Sequence, residues 1–176
     1  DAGGRAHVMG VVSDGGVHGH ITHIKATVKM LSDLGVDVVL HAITDGRDVA
    51  PTSAMGFIAD LSANLPKSAR IGTVIGRYFA MDRDTRWDRV ERAYRAMIDG
   101  QGTAATSAVS AVEDAYAKGQ NDEFIEPCVI ADYAGMAKGD GVFCLNFRAD
   151  RAREILAAIG AHDFDGFPRE RPALSC

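Results

Sequence analysis

The chain has 176 residues, 47% of them apolar and 24% charged, which suffices for one buried core and argues against wholesale disorder. A formal net charge of −5 offers no general attraction for nucleic acid, so any basic site has to be a local concentration on an acidic body. No apolar run reaches the ~18 residues of a membrane span, and the opening Asp1-Ala2-Gly3-Gly4-Arg5 does not read as a signal peptide.

In chain order, residues 7–12 (HVMGVV) are a short apolar run ending in Ser13-Asp14-Gly15-Gly16, which predicts a strand entering a turn. Ile21, Ile24, Val28 and Leu31 follow at helical spacing, and Gly35 stops that helix. Residues 36–43 (VDVVLHAI) are β-branched enough for a strand buried on both faces, closed by Thr44-Asp45-Gly46-Arg47-Asp48. A helix is expected over 52–63, ended by Pro66, and a third strand over 70–75 runs into Gly76-Arg77-Tyr78. Trp87, Val90, Tyr94, Met97 and Ile98 mark one face of a helix over 84–98 that stops at Gly100. The alanine-rich stretch 106–118 predicts another helix, and 120–127 reads as a polar loop.

Residues 141–146 (GVFCLN) predict the last strand, and Ala152, Ile155, Leu156 and Ile159 the last helix. Residues 161–176 show no period and read as a linker or tail beyond a core of about 6–160. Strands alternating with helices predict an α/β layered fold, a single domain with a largely parallel sheet flanked by helices. The three cysteines, Cys128, Cys144 and Cys176, are odd in number, widely spaced and without a C-x-x-C. That disfavours a disulfide framework and a thiolate zinc site and points to a reducing cytoplasm, with Cys128 and Cys144 as small buried hydrophobes.

The chemistry gathers where strands end. In a parallel α/β sheet the carboxyl ends of the strands share one edge, and ligands bind there. Arg47, Arg77, Arg83, Arg148 and Arg151 all follow such ends. Any one of them alone reads as a solvated surface arginine. Five together suggest a small substrate with more than one anionic group, because the guanidinium fork matches carboxylate and phosphate. Gly15-Gly16 can bring backbone N–H groups to a phosphate, although the pair also simply makes a turn, and the Walker lysine pattern is missing.

His18, His20 and His23 form an H-x-H-x-x-H pattern, for which a metal site is the sharper alternative. An amidohydrolase-type barrel needs more chain and more ligands on later strands, and His7, His41 and His162 do not follow strands. A single histidine acting as proton donor or substrate ligand is the preferred reading, with His20 and His23 as helix-surface or capping residues. Asp48 is either a salt-bridged loop residue or an acceptor for a substrate hydroxyl proton; Asp82 and Asp84 suit the start of the next helix.

Four strings stand in order: Ser13-Asp14-Gly15-Gly16-Val17-His18, Thr44-Asp45-Gly46-Arg47-Asp48, Gly76-Arg77-Tyr78-Phe79-Ala80-Met81-Asp82-Arg83-Asp84 and Asn146-Phe147-Arg148-Ala149-Asp150-Arg151. Together they resemble the cofactor-independent (2,3-bisphosphoglycerate-independent) phosphoglycerate mutases. The resemblance implies that His18, Arg47, Asp48, Arg77, Arg83, Arg148 and Arg151 bind the substrate, with Asp48 and His18 also handling protons. Gly19 departs from the family, which usually has serine there.

The resemblance further implies interconversion of 3-phosphoglycerate and 2-phosphoglycerate in glycolysis and gluconeogenesis by two domains. One, alkaline-phosphatase-like, carries two divalent metals (manganese or magnesium) and a serine nucleophile. The other is an inserted phosphotransferase domain, and this chain matches only that one. The expectation is therefore a cytoplasmic domain with no metal or cofactor of its own, inactive alone. Its expected partners are phosphoglycerate and the missing phosphatase domain, not nucleic acid or membrane. A stand-alone anion-binding module is the alternative, and a metal-dependent hydrolase the third reading.

Overall fold

The β-branched runs form the inner strands of one sheet in the computed structural model, which describes residues 4–175. The expectations for Asp1 to Gly3 and for Cys176 lie outside the described residues. In chain order the elements are β1 (Ala6–Val11), α1 (Ile21–Asp33), β2 (Val38–Thr44), α2 (Ala54–Asn64), β3 (Ala69–Gly76), α3 (Arg77–Ala80) and α4 (Trp87–Asp99). They continue with β4 (Thr103–Ala105), α5 (Ala108–Ala117), β5 (Cys128–Ile130), β6 (Gly141–Cys144) and α6 (Arg153–Gly160), with single 3-10 turns at Asp122–Phe124 and Ala149–Arg151.

The sheet order is β4-β5-β3-β2-β1-β6, and every pairing is parallel except β3 with β5. The mixed α/β layered fold expected from the alternation of strands and helices is the one observed. Every residue of β2 is buried because helices cover both faces of the sheet. Val8, Leu40, Ala42 and Val74 pack on one face with Ile24, Ile58 and Val112 from α1, α2 and α5. Met9, Val39, Ile43 and Ile75 pack on the other with Tyr94, Met97, Ile155 and Ile159 from α4 and α6.

Gly35 takes φ 77° directly beyond the end of α1, and Gly100 takes φ 64° at the end of α4, left-handed positions that suit glycine. Several elements differ from expectation. Strands β4 and β5 are three residues each, too short to show alternation, and stand where no element was expected. The stretch 120–127 is not only a polar loop: Asp122 inside it is fully buried and accepts from the backbone N–H groups of Ser53 and Ala54, both at 2.8 Å, capping α2 from a distance. Cys128 is buried as expected, whereas Cys144 is only half-buried.

Beyond α6 the described chain has no regular structure, yet it lies on the body. Phe167 is buried against Tyr94, and the Tyr94 hydroxyl donates to Glu170 O at 2.9 Å.

His7 and His41 lie inside β1 and β2, both fully buried. They form a chain with Asp140 and Thr73. His7 Nδ1 meets His41 Nε2, His7 Nε2 meets Asp140 Oδ2, and His41 Nδ1 meets Thr73 Oγ1, each at 2.9 Å. Arg5 closes the chain on Asp140 at 2.7 Å, so the histidines at this end of the sheet satisfy one another and a buried carboxylate.

Candidate functional site

The turns after β1, β2 and β3 and the segment after β6 meet at the carboxyl edge of the sheet. The turn after β2 is built around Asp45, whose Oδ1 accepts from the backbone N–H groups of Arg47 (3.3 Å) and Asp48 (3.1 Å). Ser13, from the turn after β1, donates to Asp45 Oδ2 at 2.7 Å. Arg77, at the start of α3, is buried, and its Nη1 lies 2.6 Å from both Asp45 Oδ1 and Asp48 Oδ2. His18 Nε2 stands 3.8 Å from Asp48 Oδ2. His18, Asp48 and Arg77 are thus brought together, with Asp45 and Ser13 beneath them.

A second group forms beside the first. Asp150, on the turn after β6, accepts from Arg148 Nε at 2.9 Å and from Arg83 Nη1 at 3.1 Å. Arg151 Nη1 donates to Met81 O at 3.2 Å, which ties this turn to the loop that carries Arg83. The two groups are joined by the backbone bond from Phe147 N–H to His18 O (2.9 Å), and the charges of Arg148 and Asp150 act on His18. Arg47, the outermost of the seven, is more than half exposed and pairs with Glu123 at 3.3 Å. All seven expected residues therefore share one edge, although Arg77 is held by carboxylates on its inner side rather than standing free.

The electrostatics follow from the crowding. Burial lowers the His18 pKa, and Arg77 lowers it further while Asp48 opposes, so the imidazole is neutral at neutral pH. Burial alone raises the Asp45 pKa, but hydrogen bonds from Ser13, the Asp48 backbone and Arg77 more than reverse that, and Asp45 is a fixed anion. Arg151 is shifted down by burial and then by Arg83, Arg77 and Arg47, as expected where cations converge. Two buried nitrogens, His18 Nδ1 and Arg151 Nε, have no hydrogen-bond partner among the described residues. Neutral imidazole, paired carboxylates and surplus guanidinium N–H groups make an arrangement that can hold a small polyanion and accept or return a hydroxyl proton.

The donor set does not suit a metal. Among the described residues no group of three His, Cys, Asp or Glu side chains is placed to share an ion. His20 caps α1, its Nδ1 accepting from Thr22 N–H at 3.2 Å, and its ring centroid lies 5.9 Å from that of His23. His18 faces guanidinium groups that repel a cation. Asp82 accepts from the Asp84 and Arg86 backbone N–H groups, both at 2.9 Å, a structural role in the loop before α4. Neither Asp82 nor Asp84, however, is the cap or in the first turn of that helix, which has Arg86 at its N-cap and Asp88 in its first turn.

A Cβ at Gly19 would stand 2.9 Å from Asn146 Oδ1, the oxygen that accepts from Val11 N–H, so any larger residue here moves Asn146. Asp45, Ser13, Asp150 and Glu123 were assigned no role from the sequence. Ser13, Asp45 and Asp150 belong to the four strings that resemble the family, whereas nothing local marks Glu123. A groove of about 610 Å³ lies elsewhere, between α1 and β6, lined by Met30, Leu31 and Phe143. It shares no residue with the arginine edge.

The comparisons with known proteins match the whole described chain. The family model described as the BPG-independent PGAM N-terminus covers residues 1–175. The chain is 67% identical over 174 residues to the 2,3-bisphosphoglycerate-independent phosphoglycerate mutase of Agrobacterium fabrum, covering 99% of this chain and 34% of that one. It is 63% identical over 170 residues to the mutase of Paracoccus denitrificans, covering 97% and 34%. Among solved structures it matches a Leishmania mexicana phosphoglycerate mutase, crystallised at low cobalt concentration, with a TM-score of 0.92 and 32% identity over 99% of this chain and 35% of that one. The chain spans about a third of the length of the relatives it matches. It belongs to the family of BPG-independent phosphoglycerate mutase N-terminal domains.

Proposed function

We propose that this chain is the substrate-holding, phosphotransferase part of an enzyme that interconverts 3-phosphoglycerate and 2-phosphoglycerate in the cytoplasm. The observation that carries the reading is the convergence of His18, Asp48 and five arginines on one sheet edge. Phosphoglycerate carries a phosphate and a carboxylate, two anionic groups within one small molecule, and surplus guanidinium groups on two adjoining turns suit both. The relatives' names support the substrate.

Each residue has a task that its surroundings favour. Arg83, Arg148 and Arg151 bind the anionic groups, with Arg47 at the rim. Arg77 holds the Asp48 carboxyl group beside His18, which places Asp48 to accept a proton from a glycerate hydroxyl, and neutral His18 accepts or donates a hydrogen bond at the same oxygen. Holding glycerate between loss and return of its phosphoryl group avoids a bimolecular step, a gain that is large when the geometry is right. We place the serine nucleophile and the divalent metals (manganese or magnesium) in the remaining two thirds of the longer protein. Among the described residues no three His, Cys, Asp or Glu side chains are grouped to hold an ion.

Calorimetric titration with 3-phosphoglycerate, alongside a mutase assay of this chain and of the full-length protein, tests the reading. Binding here with turnover only in the full-length protein is the expected result. Turnover by this chain alone overturns the division of labour. Binding by a full-length protein that has no mutase activity favours the stand-alone anion-binding module.

A further inference from the structure

The loop that carries Arg83, residues 81–86, is fastened by two carboxyl groups, those of Asp82 and Glu154. Asp82 is buried; its Oδ2 accepts from the Asp84 and Arg86 backbone N–H groups at 2.9 Å, and its Oδ1 faces Arg89 Nη1 of α4 at 3.4 Å. Glu154, in the first turn of α6, accepts from the Thr85 backbone N–H at 3.0 Å through Oε1. Thr85 takes φ 56°, a left-handed conformation unusual for a β-branched residue, so its neighbours have to hold the loop there.

The second Glu154 oxygen, Oε2, is buried and receives no donor among the described residues, while the two carboxyls bond consecutive amides of one short loop, Asp82 those of Asp84 and Arg86 and Glu154 that of Thr85, and so lie close together. Two ionised carboxylates so placed repel, and Oε2 is left with an uncompensated charge. One proton between them converts repulsion into a charge-assisted O–H···O bond and satisfies the orphaned oxygen. Asp82 has two backbone donors and Arg89 to stabilise its charge. Among the described residues Glu154 has one backbone donor and no paired cation, and the charges of Asp82 and Asp84 face it. The proton therefore resides on Glu154, whose pKa is pushed up by burial and then by its contact with Asp82.

We propose that Asp82 and Glu154 are positioning residues that share one proton, and that this proton ties the Arg83 loop to the turn bearing Arg148 and Arg151. Arg151 Nη1 on Met81 O is the companion tie between the same two segments. When the proton leaves, the repelled carboxylates loosen the Thr85 bond and the Arg83 loop drifts from Asp150. Ligand affinity then falls as pH rises through the Glu154 titration, a consequence that rests on the phosphoglycerate reading.

Carbon-detected NMR of the side-chain carboxyls, with amide spectra over the same pH range, tests the shared proton on the full chain. The Glu154 carboxyl is expected to titrate above the ordinary glutamate value of 4.5, with the Thr85 and Arg86 amides following it. Glu154→Gln keeps a donor toward Asp82 and an acceptor for Thr85. Those amides should then become insensitive to pH, and 3-phosphoglycerate affinity should stay within about twofold of the protonated parent. Glu154→Ala removes both bonds and should weaken that affinity about tenfold. A Glu154 carboxyl that titrates at or below the ordinary value, or amides that ignore its titration, overturns the proposal. A parent chain that does not bind 3-phosphoglycerate defeats the phosphoglycerate reading, while the carboxyl and amide titrations still decide the shared proton.

Discussion

Arg77 and Asp48 are joined at 2.6 Å, and the same guanidinium nitrogen is 2.6 Å from the buried Asp45. Arg77 is therefore both scaffold and site. It neutralises one carboxylate that builds the turn after β2 and orients a second toward His18.

Arg77→Ala and Arg148→Ala should separate on that ground. Removing Arg77 strands the buried Asp45 and should cost about 3–5 kcal/mol of stability, seen as a lower urea midpoint. Arg148 is half exposed and among the described residues bonds only Asp150 on its own turn, so its loss should leave the urea midpoint nearly unchanged. In the full-length enzyme it should lower kcat/KM by roughly tens to several hundred-fold. An effect under about threefold would put Arg148 on the solvated surface.

His18 should titrate below the ordinary 6.5, because burial and then Arg77 disfavour its cation. Bound 3-phosphoglycerate brings negative charge to the same pocket and should raise that midpoint. Imidazole NMR with and without ligand reads both shifts, and an unmoved His18 on ligand addition would place the anion elsewhere.

Acid should destabilise the fold in two stages. His7 and His41 have lowered pKa values, chiefly through burial, so below about pH 6.5 the unfolded chain takes up protons that the native chain refuses. Asp140 is buried, but Arg5, the Ala137 and Arg5 backbone N–H groups and His7 hold its carboxyl well below the usual range. Its stabilisation is complete above about pH 4 and is lost as pH falls further. Tm should fall from neutral pH downward, beginning near 6.5 and steepening below 4. In His41→Gln the first stage should shrink, measured by calorimetry across that range.

Asp122→Ala should lower stability by about 2–3 kcal/mol, since it leaves the Ser53 and Ala54 N–H groups at the start of α2 and the Tyr116 hydroxyl without their acceptor. Thermal melting checks it, and hydrogen exchange should localise the loss to α2 and α5.

The sequence by itself determined the strand–helix alternation, the doubly buried β2 and the placing of arginines just beyond strand ends, because burial period and turn residues are written locally. It could not show β4 and β5, whose three residues carry no period. Nor could it show which carboxylate answers which cation. Asp122 caps a helix 68 residues earlier, and Arg5 meets Asp140 across 135 residues. Asp45 belongs to one of the four strings, with no assigned role, and it became the hub of the site only when β1, β2 and β3 set Ser13 and Arg77 against it. Such pairings are decided by strand order and by the cost of burying an unpaired charge, and both exist only once the chain has packed.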